Sequence, residues 1–393
     1  MNPDTKYIFI INPAAGTSTL QAKLVNDIRA VLPTGRYELH FTRQAGDGTR
    51  IAAECIETHK GEPIVLFACG GDGTFFEVIN GAAGKAPVGV FPCGSGNDFI
   101  KNILSPESLL DVEAQINGQA VPLDLIRCNG QYVSNVCNIG FDADIAYNMN
   151  RFRRIPFLSG KKAYIASILY CFFHRMHYPL TVQIDDGEPI HDEYLFAAIA
   201  NGQTYGGSFR GAPKASVHDG LIDICLCRRL SRLTLLRFVS AFQKGTYLEK
   251  KGIDRWVDYR KCRKVTITMP EDTVTGFDGN ISHLRNLEAE IVPAAMQLVI
   301  PHGASIKIKT KNGLSLTQEK QSFFFTCYAM PVMCDTADYI MPMPPSIGIG
   351  FSFVTSATRL SVVKIMDAIL AAFCRAERVT FAGSTIPALI ISS

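Results

Sequence analysis

Two hydrophobic periods succeed one another along this chain. Up to residue 91, short β-rich runs at 7–11, 37–42, 64–69 and 88–91 are separated by helical patterns at 19–32, 48–59 and 75–83. Strands that take turns with helices predict a doubly wound α/β domain, a parallel sheet covered by helices. In such a sheet ligands bind at the carboxyl ends of the strands. Beyond about Leu125 the pattern changes to β-rich segments at 132–137, 180–184, 194–200, 221–227, 265–268 and 288–292, with turn signals Asp186-Gly187 and Asp278-Gly279 between several of them. These predict a mainly antiparallel β-sandwich, interrupted by a helix at about 161–174. The apolar run 296–300, closed by Pro301, is expected to return to the first domain as a last strand. From Ser305 onward charges thin out, Met-Pro clusters appear, and only 360–376 reads as a helix. The expected organisation is an α/β domain over 1–126, completed by 294–304, a β-rich domain over 127–293, and an accessory or poorly ordered tail over 305–393.

Composition narrows the classes without naming one. A chain of 393 residues has room for about two domains, and 47% hydrophobic against 19% charged residues suits a packed core. A net charge of +3 is too small to imply a nucleic-acid partner. The 12 cysteines stand singly in apolar stretches with no CxxC pair, the pattern of buried free thiols in a reducing compartment rather than of a zinc site or a disulfide framework. The first apolar run is too short for a signal-peptide core, and the run 163–173 falls short of the ~20 residues that cross a bilayer. A cytoplasmic protein is expected, with any membrane contact peripheral. Nothing in the pattern speaks to oligomeric state.

The chemistry concentrates where the early strands end. Gly70-Gly71-Asp72-Gly73-Thr74 directly follows one strand and directly precedes a helix. Glycines let backbone approach a phosphate, a helix N-terminus supplies unpaired N–H donors, and Thr74 adds a hydroxyl. Asp72 would repel a bare phosphate, so its presence points to Mg²⁺ between carboxylate and phosphate oxygens. The bland alternative is a tight strand-to-helix turn. A second loop, Pro92-Cys93-Gly94-Ser95-Gly96-Asn97-Asp98-Phe99, follows the next strand, so both loops meet at one edge of the sheet. A third, Asn12-Pro13-Ala14-Ala15-Gly16, follows the first strand and could close the same crevice, though by itself it reads better as a plain turn. Gly84-Lys85-Ala86 lacks the Ser or Thr of a Walker A loop, and Phe99 stands where a dinucleotide fingerprint needs glycine.

Taken in order, Asn12 to Gly16, the Gly-Gly-Asp-Gly-Thr loop, Gly-Ser-Gly-Asn-Asp-Phe at 94–99 and His218-Asp219-Gly220-Leu221-Ile222-Asp223 resemble the diacylglycerol kinase catalytic family, bacterial lipid kinases above all. The resemblance covers about residues 5–303. It implies an ATP-dependent lipid kinase with diacylglycerol as the default acceptor. It implies that Gly70, Gly71, Asp72, Gly73, Thr74, Phe75 and Phe76 bind ATP phosphates, with Asn12, Gly16, Thr42, Gly94, Ser95 and Asn97 at further nucleotide positions. It implies that Asp72, Asp98 and Asp124 organise Mg²⁺ and water, and that Asp219 with the carbonyls of Ser216 and Leu221 holds a second metal. NAD kinases share the Gly-Gly-Asp-Gly-Thr loop, but the 94–99 and 218–223 segments argue against that reading.

One position departs from the family. Where the resemblance implies Asp-Gly-Glu, with the Glu as general base, this chain has Asp278-Gly279-Asn280. Asparagine cannot accept a proton, and a general base is worth about 10²–10⁴-fold. Either Asp278 or Asp72 takes that task, or the chain is a catalytically weak or inactive nucleotide- or lipid-binding regulator. For the membrane surface, the expected contact is 151–158, Arg-Phe-Arg-Arg-Ile-Pro-Phe-Leu, followed by Lys161 and Lys162, where cations meet anionic headgroups and apolar side chains dip below them.

Overall fold

A parallel strand covered on both faces has to be apolar at odd and even positions alike, and the first strand is. In the computed structural model, which describes residues 4–94, 96–104, 109–155, 161–207 and 209–304, β1 (Lys6–Ile11) turns Tyr7, Phe9 and Ile11 to one core and Ile8 and Ile10 to another. The chain continues through α1 (Ser18–Val31), β2 (Tyr37–Phe41), α2 (Asp47–Thr58), β3 (Ile64–Gly70), α3 (Asp72–Ala82), β4 (Val88–Pro92), α4 (Asp98–Ile103) and α5 (Val112–Ile116). The four strands pair parallel in the order β2-β1-β3-β4. Leu24 and Ile28 of α1 and Val112 of α5 cover one face, and apolar residues of α2 and α3 cover the other. Thr17 caps α1 with its Oγ1, which accepts from Leu20 N at 3.2 Å, a contact worth ~1 kcal/mol.

The second half runs β5 (Gln119–Cys128), β6 (Gln131–Val133), β7 (Val136–Gly140), α6 (Phe141–Phe152), α7 (Lys161–Phe173), β8 (Tyr178–Ile184), β9 (Ile190–Ala200), β10 (Ile222–Arg228), α8 (Arg232–Lys244), β11 (Val257–Cys262), β12 (Lys264–Phe277) and β13 (Asn280–Ile300). Pairing within this half is antiparallel throughout. β13 joins the halves: its first part pairs with β12, while Leu298 lies parallel to Val88 of β4. The returning strand expected at 296–300 is therefore the far end of one strand of 21 residues. Its register breaks between Val292 and Met296, where Ala294 takes φ +53°.

Several elements differ from the sequence reading. The run 132–137 is two strands, because the backbone amides of Ser134 and Asn135 turn to the Asp278 carboxylate. α3 starts at Asp72 rather than near Phe75, so Asp72, Gly73 and Thr74 form its first turn. α6 and α8 are missing from the sequence reading, although α8 has helix signals of its own: it is capped at Ser231 and stopped at Gly245, and it lays Leu235, Phe238, Ala241 and Phe242 on the sandwich core. The nine cysteines among the described residues are buried and unpaired. No helix among the described residues is long and apolar enough to cross a membrane. The tail over 305–393 lies outside the described residues.

Candidate active site

Because β3 and β4 are neighbours, the loops that leave them abut. Cys93 N and Gly94 N both donate to Gly70 O, at 2.9 and 3.2 Å. A Cβ on Gly94 would lie 2.4 Å from the Cα of Gly71, so the two loops touch backbone to backbone and only glycine fits. Asp72 completes the clasp. Its Oδ2 accepts from Asn97 N at 2.7 Å and its Oδ1 from Asp98 N at 2.9 Å, so a side chain of α3 caps α4. Gly96 makes room for this, since a Cβ there would stand 2.5 Å from Asp72 Oδ2. Asn97, at φ +53°, pins the second loop by donating from Nδ2 to Gly94 O at 2.7 Å. No side chain caps Gly71, which leaves the first-turn amides of α3 pointing out of the helix N-terminus.

The loop that looked weakest in the sequence joins the same constellation. Asn12 donates from Nδ2 to Thr74 Oγ1 at 3.2 Å and accepts from Ala14 N at 2.9 Å. Gln21 Nε2 donates to the carbonyls of Asn12 and Pro13. At φ +74°, Gly16 packs under Cys93, whose carbonyl oxygen would be 2.6 Å from a Cβ. Thr42 is buried at the end of β2, with its N–H on Ile11 O. Phe75 and Phe76, in contrast, turn their rings into the core, where Phe75 stacks on Phe99 at 5.3 Å, so only their backbone is available to a ligand. Ser95 lies outside the described residues.

The carboxylates expected to hold metal divide by what already holds them. Burial, and then the charges of Asp98 and Asp278, push the Asp72 carboxyl up to about 6 against the pull of its two amides. Asp98 accepts from Gly207 N at Oδ2, 2.9 Å. Its buried Oδ1 has no hydrogen-bond partner among the described residues, and Lys101 Nζ stands 3.8 Å away. An orphaned oxygen beside a crowded second carboxylate fits a hard divalent cation such as Mg²⁺. Asp124 is engaged as Asp72 is, with one backbone amide on each oxygen, Gly220 N on Oδ2 at 2.7 Å and Ala294 N on Oδ1 at 2.8 Å, and it ties β5 to the 217–220 turn and to the bend in β13.

The second expected metal position already holds a cation of the protein's own. Asp219 Oδ2 lies 2.6 Å from Lys261 Nζ, which also reaches Asp223 Oδ2 at 3.1 Å and Lys214 O at 3.4 Å. An ammonium has three protons, and here three acceptors meet them. The charge expected from a metal bound by Asp219, Ser216 and Leu221 is supplied by a lysine. Asp219 Oδ1 accepts from Leu221 N, and Ser216 Oγ pairs with His218.

Asp278 is likewise engaged. Its carboxylate accepts from Ser134 N, Ser134 Oγ, Asn135 N and Val136 N at 2.7 to 3.0 Å, which fills the four acceptor sites of a carboxylate. Burial raises its pKa in spite of those donors. It is a clasp rather than a free base. Asp278 and Gly279 both take positive φ, +49° and +87°, the type I′ hairpin geometry that Asp-Gly favours. This turn carries Asn280 to the first loop: Asn280 Oδ1 stands 3.9 Å from where a Cβ on Gly73 would be. Asn280 therefore faces the first turn of α3 and presents an amide there.

Residues that the sequence reading passed over line the same place. Asn102 donates to Asn135 Oδ1 and accepts from Thr204 N, both at 3.1 Å, which ties α4 to the loop after β9. Asp142 sits in the first turn of α6, where burial pushes its carboxyl up to about 7 against the pull of Asn138 and Tyr205. The one available signal was Asn201-Gly202, a turn at the end of an apolar run.

Comparison with known proteins agrees with the family resemblance and the two-part fold. Residues 6–128 match the diacylglycerol kinase catalytic domain, and residues 135–300 match the YegS C-terminal NAD kinase β-sandwich-like domain. A diacylglycerol kinase of Bacillus subtilis (strain 168) is 27% identical over 278 residues, which cover 69% of this chain and 88% of that protein. The crystal structure of a diacylglycerol kinase from Bacillus anthracis str. Sterne shares the fold, with a TM-score of 0.53 at 22% identity over 75% of this chain and 96% of that one. Two matched domains in the same order, meeting at the loops described above, make this chain a member of the diacylglycerol kinase catalytic-domain family, among the bacterial lipid kinases.

Proposed function

We propose that this protein transfers the γ-phosphoryl group of ATP to a lipid hydroxyl, with diacylglycerol as the acceptor and Mg²⁺ as the metal. The observation that carries this reading is the Asp72 clasp between two touching glycine loops at an uncapped helix N-terminus. The first-turn amides of α3 are donors for phosphate oxygens, and the Asn12 to Thr74 contact sets the direction of the Thr74 hydroxyl. Asp72 and Asp98 would hold Mg²⁺, which when bound offsets charge on the phosphates. Phosphoryl transfer passes through a loose transition state, so positioning and electrostatics supply most of the rate.

The lipid hydroxyl would enter between α3 and the β12–β13 turn, where Asn280 Oδ1 can accept its hydrogen bond and orient it; the proton would leave to water or to a phosphate oxygen as the new P–O bond forms and the bond to ADP breaks. With Asp278 saturated by donors, no side-chain base stands at this turn. A slow kinase is the expected result, and Asn280 is also the observation that favours a second reading, a nucleotide- and lipid-binding regulator without turnover. Incubation of the full chain with labelled ATP, Mg²⁺ and separate acceptors, including diacylglycerol, other lipid alcohols and NAD, tests both. Label in diacylglycerol supports the kinase; label in NAD, or ATP binding with no labelled lipid, overturns it. Asn280→Glu should raise turnover by ~10²-fold or more. A parent that is already fully active would remove the regulator reading.

A further inference from the structure

Two helices of the second half leave large apolar side chains in solvent side by side. Phe173, at the end of α7, is 55% exposed, and Leu233 and Leu236 of α8 are 70% and 46% exposed, with Val239 also exposed. The helices are tied at this point, since Arg232 donates from Nε to Phe172 O at 2.8 Å and from Nη2 to Phe173 O at 3.2 Å. On α8 the outward residues share one face, because Leu235, Phe238, Ala241 and Phe242 face the sandwich core. A single exposed leucine needs no explanation, but a joined patch of this kind marks a contact surface.

Charge says what the surface contacts. α8 contains no acidic residue, and Arg232 and Arg237 are exposed on it. Lys244, Lys250 and Lys251 follow, against Glu249 alone, and the segment 151–177 that leads through α7 has no Asp or Glu at all. A net charge of +3 over the whole chain hides this local excess. Among the described residues Arg237 makes no salt bridge, so its charge is available. Aliphatic side chains flanked by cations suit an anionic interface; protein-binding hot spots also use Arg, but they under-represent Leu and Val, and protein interfaces deplete Lys, the residues that make up most of this face and its flank.

We infer that the α7–α8 face docks the protein on an anionic phospholipid bilayer, with Phe173, Leu233 and Leu236 below the headgroups and Arg232 and Arg237 among them. This deepens the lipid-kinase reading and rests on it for its purpose. It moves the expected contact from 151–158, part of which lies outside the described residues, to the end of α7 and the outer face of α8.

Co-sedimentation of the full chain with vesicles of phosphatidylcholine alone, or mixed in equal parts with phosphatidylglycerol, tests the inference. The protein should sediment with the mixed vesicles at low salt and not with phosphatidylcholine alone. Leu233→Ser with Leu236→Ser should lower the mixed-vesicle affinity by about tenfold or more, and Arg237→Glu by about fivefold or more. Both variants should keep the parent's thermal midpoint and its turnover on a water-soluble short-chain diacylglycerol. Vesicle binding by either variant equal to the parent's, or no binding by the parent, overturns the inference. So does a parent dimer that Leu233→Ser with Leu236→Ser turns into monomers, which would make this face a contact between two copies. If the short-chain acceptor is never phosphorylated while vesicle binding follows the variants, the kinase reading falls and the docking surface stands.

Discussion

Asp72→Asn separates the two jobs of one carboxylate. As a clasp, Asp72 accepts two backbone N–H bonds, at 2.7 and 2.9 Å, and bonds to a charged acceptor contribute about 1.5–3 kcal/mol each. Against this, burial among Asp98 and Asp278 raises its pKa from 3.8 to about 6, which costs the ionised form about 3 kcal/mol at neutral pH. Asparagine keeps the shape and one acceptor oxygen, gives up one amide bond, and removes the charge. The two effects largely cancel, so stability at pH 7.5 should change by less than about 2 kcal/mol. The pH dependence has a definite sign. A carboxylate raised in the folded state contributes stability below its unfolded pKa and loses it as pH rises through about 6, so the parent should gain on Asp72→Asn between pH 7 and pH 4. Turnover responds differently, because the holder of the metal is gone: a fall of about 10³-fold or more is expected. Urea titrations at the two pH values, beside labelled-ATP transfer to diacylglycerol, measure both. Turnover within a few-fold of the parent would refute the proposed chemistry. A loss of stability well above 4 kcal/mol would make Asp72 a structural clasp only.

Other consequences follow from the same contacts. In Gly94→Ala the new Cβ meets the backbone of Gly71, which cannot swing aside as a side chain can, so the loops must part; a cost of about 1–3 kcal/mol and at least tenfold weaker ATP binding by calorimetry are expected. Lys261→Met leaves Asp223, which has 0% exposure, facing Asp219 without a cation, and should cost about 2–4 kcal/mol by denaturant titration, largely recovered when Asp223→Asn is added. Glu38 loses affinity for its proton despite burial, because Lys6 and His40 hold the charged form, and its pKa falls to about 2. A depressed carboxylate stabilises above its unfolded pKa, so this part of stability, about 1 kcal/mol once solvent screening of a part-exposed pair is counted, is lost as pH falls from about 4.5 towards 2; Glu38→Gln should be less acid-sensitive than the parent in the same titration.

The parts of this protein legible in its sequence are those decided within a few residues. Continuous apolar runs at β1, β3 and β4 announced a parallel sheet buried on both faces, and Gly70-Gly71-Asp72 announced the tight strand-to-helix turn, because the freedom of a glycine lies in its own backbone. Asp278-Gly279 marked a hairpin for the same local reason. What the other carboxylates do was out of reach. Asp124 is held by amides 96 and 170 residues away, Asp278 by donors 142 to 144 residues away, and Asp219 by a lysine 42 residues on. A carboxylate carries no record of its partners, so the same residue type serves as cap, clasp or ion pair according to which donors the fold brings to it. That Asp98 Oδ1 is buried without a hydrogen-bond partner among the described residues is likewise decided by the tertiary structure alone. The outer face of α8 follows the same logic: its leucines stand in solvent because the sandwich core takes up the other side of the helix, which only the packed fold decides.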